Sequence, residues 1–165
     1  MKKTTINSLR IVIAILLVTA CIIACDKGYD CSLNNTAYNK LGFYTKSEGT
    51  ESTYNHPGPL NISLMIYGKD SLMINHLTDA SEISLPMSHT QDYDTIILHY
   101  EDNFSDSLFV RHTNSAYYQS MECGTLIQHK IEEIHSTNVW IDSIAITNQN
   151  VNFDGNENIK IYFYK

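Results

Sequence analysis

Residues 60–66 read Leu60-Asn61-Ile62-Ser63-Leu64-Met65-Ile66, and near the end Ile159, Ile161 and Phe163 alternate with Lys160, Tyr162 and Tyr164. A period of two puts one set of side chains on one side of a strand. A strand patterned this way has to lay its apolar side against a second layer, and no other feature limits the fold as much. Leu72 and Ile74 follow a Gly68-Lys69-Asp70-Ser71 turn, so 60–67 and 71–77 read as a hairpin. Glu82–Pro86 is a short strand ended by proline. Thr95–Tyr100 and Ser107–His112 are two more, joined by Glu101-Asp102-Asn103. Ile127, Ile131 and Ile134 have helical spacing, yet Gly124-Thr125 precedes them and β-branched residues dominate through Ile146. The segment 125–135 is therefore read as a long, bulged strand, with a helix as the alternative. About eight to ten short strands with little helix predict a mainly β chain, a two-layer antiparallel β-sandwich over residues 40–165. The 11 tyrosines suit a sheet.

The N-terminus has a different composition. Lys2, Lys3 and Arg10 precede an uncharged run from Ile11 to Ala24, 14 residues long, shorter than the roughly 20 that span a bilayer. Two segments resemble the bacterial lipoprotein signal, Val18-Thr19-Ala20-Cys21 and Ile22-Ile23-Ala24-Cys25. After Cys21 the chain stays apolar, whereas after Cys25 it turns polar at Asp26-Lys27-Gly28. A lipid-bearing residue belongs where the apolar segment meets water, which favours Cys25. Cleavage there also leaves two further cysteines, an even number for an oxidising compartment. Residues 1–24 are thus expected to be a signal peptide and 25–39 a lipidated N-terminus with a short tether. Cys31 and Cys123 are expected to form a disulfide closing a loop of about 90 residues, worth about 4–5 kcal/mol by loop entropy.

Removing residues 1–24 takes three bases and no acid, leaving 8 basic against 18 acidic side chains, a net charge near −10. Such a surface argues against nucleic acid and against electrostatic docking on anionic lipid, so the lipid itself would hold the chain to the membrane.

Asp70-Ser71-Leu72, Asp106-Ser107-Leu108 and Asp142-Ser143-Ile144 recur 36 residues apart, with Asp94-Thr95-Ile96 out of step. The residues between them do not match, which excludes a solenoid. Asp-Ser/Thr before an apolar strand serves as a turn cap. The triplet also resembles the acceptor motif for O-linked glycans on exported Bacteroidetes proteins, which would place glycans on Ser71, Thr95, Ser107 or Ser143.

Signals for catalysis are sparse. His56, His76, His89, His99, His112, His129 and His135 form no H-x-H, H-E-x-x-H or Cys/His cluster, so no metal or other cofactor is expected. His99 and His129 are expected to be half-exposed strand residues. Asp154-Gly155-Asn156-Glu157-Asn158 resembles the start of a calcium loop but has Ile159 and Lys165 where glycine and glutamate are required. It reads better as a hairpin turn before the last strand. Trp140 is expected in the core. No G-x-S-x-G, P-loop or G-x-G-x-x-G occurs.

Cys31 followed by Asn35-Thr36, then Asp70-Ser71-Leu72, Leu85-Pro86, Cys123-Gly124, Thr137, Ile141-Asp142-Ser143-Ile144 and Glu157-Asn158-Ile159 give the mature chain its resemblance to a family. It resembles an uncharacterised family of Bacteroidetes lipoproteins known only as a domain of unknown function. The resemblance implies a β-rich domain and brings no assigned activity or catalytic residue. The expected function is that of a non-catalytic lipoprotein of the cell envelope, on the periplasmic face of the outer membrane, binding a partner protein or joining an assembly. The alternative is a glycan- or small-ligand-binding sandwich using Tyr117-Tyr118; a hydrolase with a cross-strand site ranks third.

Overall fold

A computed structural model of the chain describes residues 36–56, 58–66, 69–100, 104–121 and 123–164, all within one compact unit. Among these residues are eleven strands: β1 (Tyr38–Ser47), β2 (Thr50–Thr53), β3 (Leu60–Ile66), β4 (Lys69–Leu77), β5 (Glu82–Pro86), β6 (Tyr93–His99), β7 (Ser105–Ser120), β8 (Gly124–Ser136), β9 (Ile141–Ile146), β10 (Asn150–Val151) and β11 (Ile159–Phe163). They form the sandwich that the alternation requires. One sheet runs β2-β1-β11-β9, with β5 on β1 beside β2, and the other runs β10-β8-β7-β6-β3-β4. The described residues contain no helix, which settles 125–135 as strand.

One pairing departs from the antiparallel expectation. β1 runs parallel to β11, with Leu41 opposite Ile159 and Phe43 opposite Ile161. Local pattern carries no information about a partner this distant. β1 also begins inside the stretch read as tether, and Ala37 and Asn39 are already buried.

Leu41, Phe43, Ile159, Ile161 and Phe163 from the first sheet join Leu60, Ile62, Leu98, Leu108, Val110 and Ile131 from the second in a single core. Each such side chain contributes roughly 1.5–3 kcal/mol by leaving water. Phe43 and Phe163 meet edge to face at 5.4 Å. The helical spacing of Ile131 and Ile134 has a different cause. Arg111 pairs with Glu133 but His112 pairs with Ile131, so Glu132 is one residue too many, a β-bulge. The bulge shifts the inward face of β8 from odd to even positions. It also turns Glu132 and Glu133 outward together, and Arg111 bonds both.

The outer face of the first sheet is a packed polar layer. The Tyr44 hydroxyl donates to Glu157 Oε2 at 2.8 Å, the Tyr162 hydroxyl donates to Glu51 Oε2 at 2.7 Å, and Lys160 pairs with Glu51. The Lys46 ammonium lies 3.8 Å from the centre of the Tyr162 ring. Gly42 makes room for this layer, since a Cβ there would lie 1.9 Å from Glu157 Oε2 and 2.7 Å from the Tyr44 ring.

Candidate functional site

β7 and β8 form the longest hairpin, and its two ends differ. From Asp106 to His112 the even-numbered side chains of β7 face inward and are buried. From Thr113 to Tyr118 every side chain of β7 is exposed, so the hairpin continues as a ribbon whose β7 strand meets solvent on both faces, while opposite it on β8 Leu126, Ile127 and Gln128 are half-buried and His129 is buried. Tyr118 is 61% exposed and Met121, in the turn, 89%. Gly124, at φ +73°, supplies the left-handed residue that begins the return strand. The Tyr117 ring rests 6.0 Å from Phe153, which ties the ribbon to the segment after β10.

That segment, 147–158, is a ridge held by its own polar side chains. Buried Asn158 donates through Nδ2 to the carbonyls of Asn148 and Asn150, at 3.1 and 2.9 Å, and its Oδ1 accepts from the Lys40 N–H at 3.1 Å. Asn148, Asn152 and Asp154 each accept the backbone N–H two residues on. The stretch read as a hairpin turn is therefore a crossing between sheets: β10 pairs with β8 in one sheet, β11 with β1 and β9 in the other. The N–H of Asn156 and the side chains of Asn152 and Asn156 hold the Asp154 carboxyl below its usual range.

A cleft opens on either side of the ridge. One, of about 250 Å³, lies against β1 and β5 and is lined by Tyr38, Lys40, Ser84 and Phe153 among others. The second, of about 370 Å³, is lined by Thr113, Ser115, Gln128, Lys130 and Asn150 at the base of the ribbon. Asn152 lines both.

Beneath the ribbon the inward face of β7 and β8 carries a histidine cluster. Asn114 donates through Nδ2 to the Gln91 carbonyl at 2.9 Å, which turns its Oδ1 toward His112 Nδ1 at 3.0 Å and His129 Nδ1 at 2.7 Å. Both rings therefore donate from Nδ1. His112 Nε2 lies 3.0 Å from Asp94 Oδ2, close enough to attract as an ion pair though off the angle of a hydrogen bond. Burial, reinforced by His112 and His89, pushes His129 down to about 4 and keeps it neutral. The sequence places His129 half-exposed, but it is buried, because it stands two residues before Ile131 on the same inward face. His99 is partly exposed as expected. No group of three or more metal-ligating side chains is assembled among the described residues.

Asp106 accounts for one triplet. Fully buried, it accepts from the Thr137 hydroxyl (2.8 Å), the Tyr100 hydroxyl (3.2 Å) and the N–H groups of Val139 (2.7 Å), Trp140 (2.8 Å) and Ile141 (3.1 Å). Burial alone would raise its carboxyl, but these donors hold it below the ordinary value. Burial and the Asp106 charge push the Tyr100 phenol far up. Asp94 is likewise buried, and its Oδ2 accepts from the Ser88 N–H at 3.0 Å. In all four copies the aspartate is the second residue of its strand, so the triplet marks strand beginnings, and in two copies the carboxylate anchors a neighbouring loop. Ser71 and Ser143 lie on the edge strands β4 and β9, whereas Thr95 and Ser107 lie on strands paired on both sides. Trp140, expected in the core, is 41% exposed, with one side against Tyr100 and His56. Cys21, Cys25 and Cys31, like the Glu101–Asn103 turn, lie outside the described residues; Cys123 is in the β7–β8 turn.

The chain belongs to a family of unknown function (DUF6452), whose profile matches residues 60–163. No curated protein and no solved structure matches it.

Proposed function

We propose that the protein is a lipid-anchored, non-catalytic module of a bacterial cell envelope, of Bacteroidetes type, that docks a partner envelope protein through the β7–β8 ribbon. The observation that carries the docking half is the ribbon from Thr113 to Tyr118, exposed on both faces, ending in Met121 and braced at its base by Phe153. A two-stranded ribbon gains little stability by itself, so this length beyond the core is explained by what it contacts. Exposed tyrosines and a methionine suit such contact, as they offer large apolar area and are enriched where proteins meet. The anchoring half rests on the apolar run ending at Ala24-Cys25. Cys123 is disulfide-bonded, which supports pairing with Cys31. O-glycans, where present, are expected first on Ser71 and Ser143, because edge strands are the more approachable.

Two measurements test the reading. Cys25→Ser should leave unprocessed precursor and release the domain from membranes, while Cys21→Ser should not; membrane retention of Cys25→Ser defeats the anchor. A photo-crosslinker at Tyr118 in intact cells should trap one defined envelope protein that a crosslinker on β2 does not. An identical pattern from both positions defeats the docking role.

A further inference from the structure

We propose that the two clefts flanking the 147–158 ridge form one carbohydrate site that takes a short oligosaccharide bearing a carboxylate. The site lies at the base of the ribbon and is independent of protein docking at its tip. Register places Thr113 opposite Lys130, Ser115 opposite Gln128 and Asn150 opposite Lys130, so these five side chains share the outer face of their sheet. They offer amide and hydroxyl donors and acceptors with a single ammonium. Across the ridge Tyr38, 46% exposed, and the partly exposed Phe153 add aromatic surface. A sugar ring has an apolar C–H face and a hydroxyl edge, and this combination of aromatic rings with amides and hydroxyls matches both. The volumes, about 250 and 370 Å³, sit in the range of small-ligand sites and together accommodate more than one ring.

Charge selects among sugars. The chain has 18 acidic and 11 basic residues, yet among the described residues no carboxylate lines either cleft. Lys40 is paired with Glu82 at 3.0 Å, whereas Lys130 forms no ion pair among the described residues. An unpaired ammonium in an acid-free cleft of an acidic protein is placed to meet an anion carried by the ligand. The Asn158 staple holds the ridge in place beforehand, which lowers the ordering cost of binding.

The test titrates the full-length chain with trigalacturonate, with its methyl ester and with a neutral galactose trimer, read by ¹H–¹⁵N chemical shifts. Trigalacturonate should shift Tyr38, Thr113, Lys130 and Asn152 together. Lys130→Ala should weaken it at least ten-fold and bring it level with the ester, while Tyr38→Ala should weaken all three ligands alike. No shifts at millimolar ligand, shifts outside the two clefts, equal binding of the neutral trimer, or an unaffected Lys130→Ala chain would each overturn the proposal. None of these outcomes touches the membrane-release or crosslinking results.

Discussion

Asp106–His112 and Thr113–Tyr118 are two halves of one strand, both paired with β8, but the first half, as far as Arg111, is paired with β6 as well. In the first half alternate side chains are buried without remainder: Asp106 in a nest of five donors, Leu108 and Val110 in the core, His112 against Asn114 and Asp94. In the second, both faces meet solvent. The first half is hydrogen-bonded by a strand on each side and the second by β8 alone, so the halves differ both in lateral support and in what lies beneath them. Where the opposite sheet covers it, sequence is constrained by packing. Where the cover ends, the strand is supported by its hairpin partner and through it by β10, by the Tyr117–Phe153 contact and, at its start, by the Asn114 amide on the Gln91 carbonyl, and its other side chains are free to serve recognition.

Four perturbations should sharpen or break this contrast. Inserting one alanine between Glu133 and Ile134 shifts the rest of β8 by one position, turns Ile134 outward and His135 inward, and soluble folded protein should no longer be recovered. A folded insertion variant with native circular dichroism would show that packing beneath this half does not fix its register. Asp106→Ala leaves five donors without their acceptor and should lower stability by about 3–4 kcal/mol, read as a lower urea midpoint at unchanged slope. His129 supplies a pH dependence confined to the covered half. Its folded-state value, about 4, lies below the ordinary 6.5, so as pH falls the unfolded chain takes up the proton first. Stability present at neutral pH should be lost between about 6.5 and about 4, by about 3 kcal/mol, with no further change from this ring below that. The component should disappear in His129→Gln; an unchanged pH slope in that variant counts against it. Tyr118→Ser, on the uncovered half, should move stability by no more than about 0.5 kcal/mol while abolishing capture by a photo-crosslinker placed instead at Met121. A large shift in its thermal midpoint would mean that the ribbon is packed after all.

The contrast also explains what was legible in the sequence. The sandwich, the β3–β4 hairpin, β5 and β11 follow from alternation, a local property. The length of β7 does not, because Thr113–Tyr118 have no covered face and so no apolar period. The spacing of Ile127, Ile131 and Ile134 looks helical because a bulge, like a helix, lets residues three apart share a side. Asp94 and Asp106 gave only a recurring triplet, since the loops and rings they hold come from distant sequence. The clefts were out of reach for the same reason: each joins residues from separate strands across a ridge whose register no local pattern encodes.

The parallel pair β1–β11 bears on the order of assembly. Lys40 and Asn158, joined at its edge, are 118 residues apart, and β11 lies between β1 and β9. The first sheet therefore stays open at its centre until the last strand arrives, and so long a closure slows folding. A nascent chain cannot complete this domain early. It stays unlocked until nearly all of it has been made, a state that suits the export proposed for it.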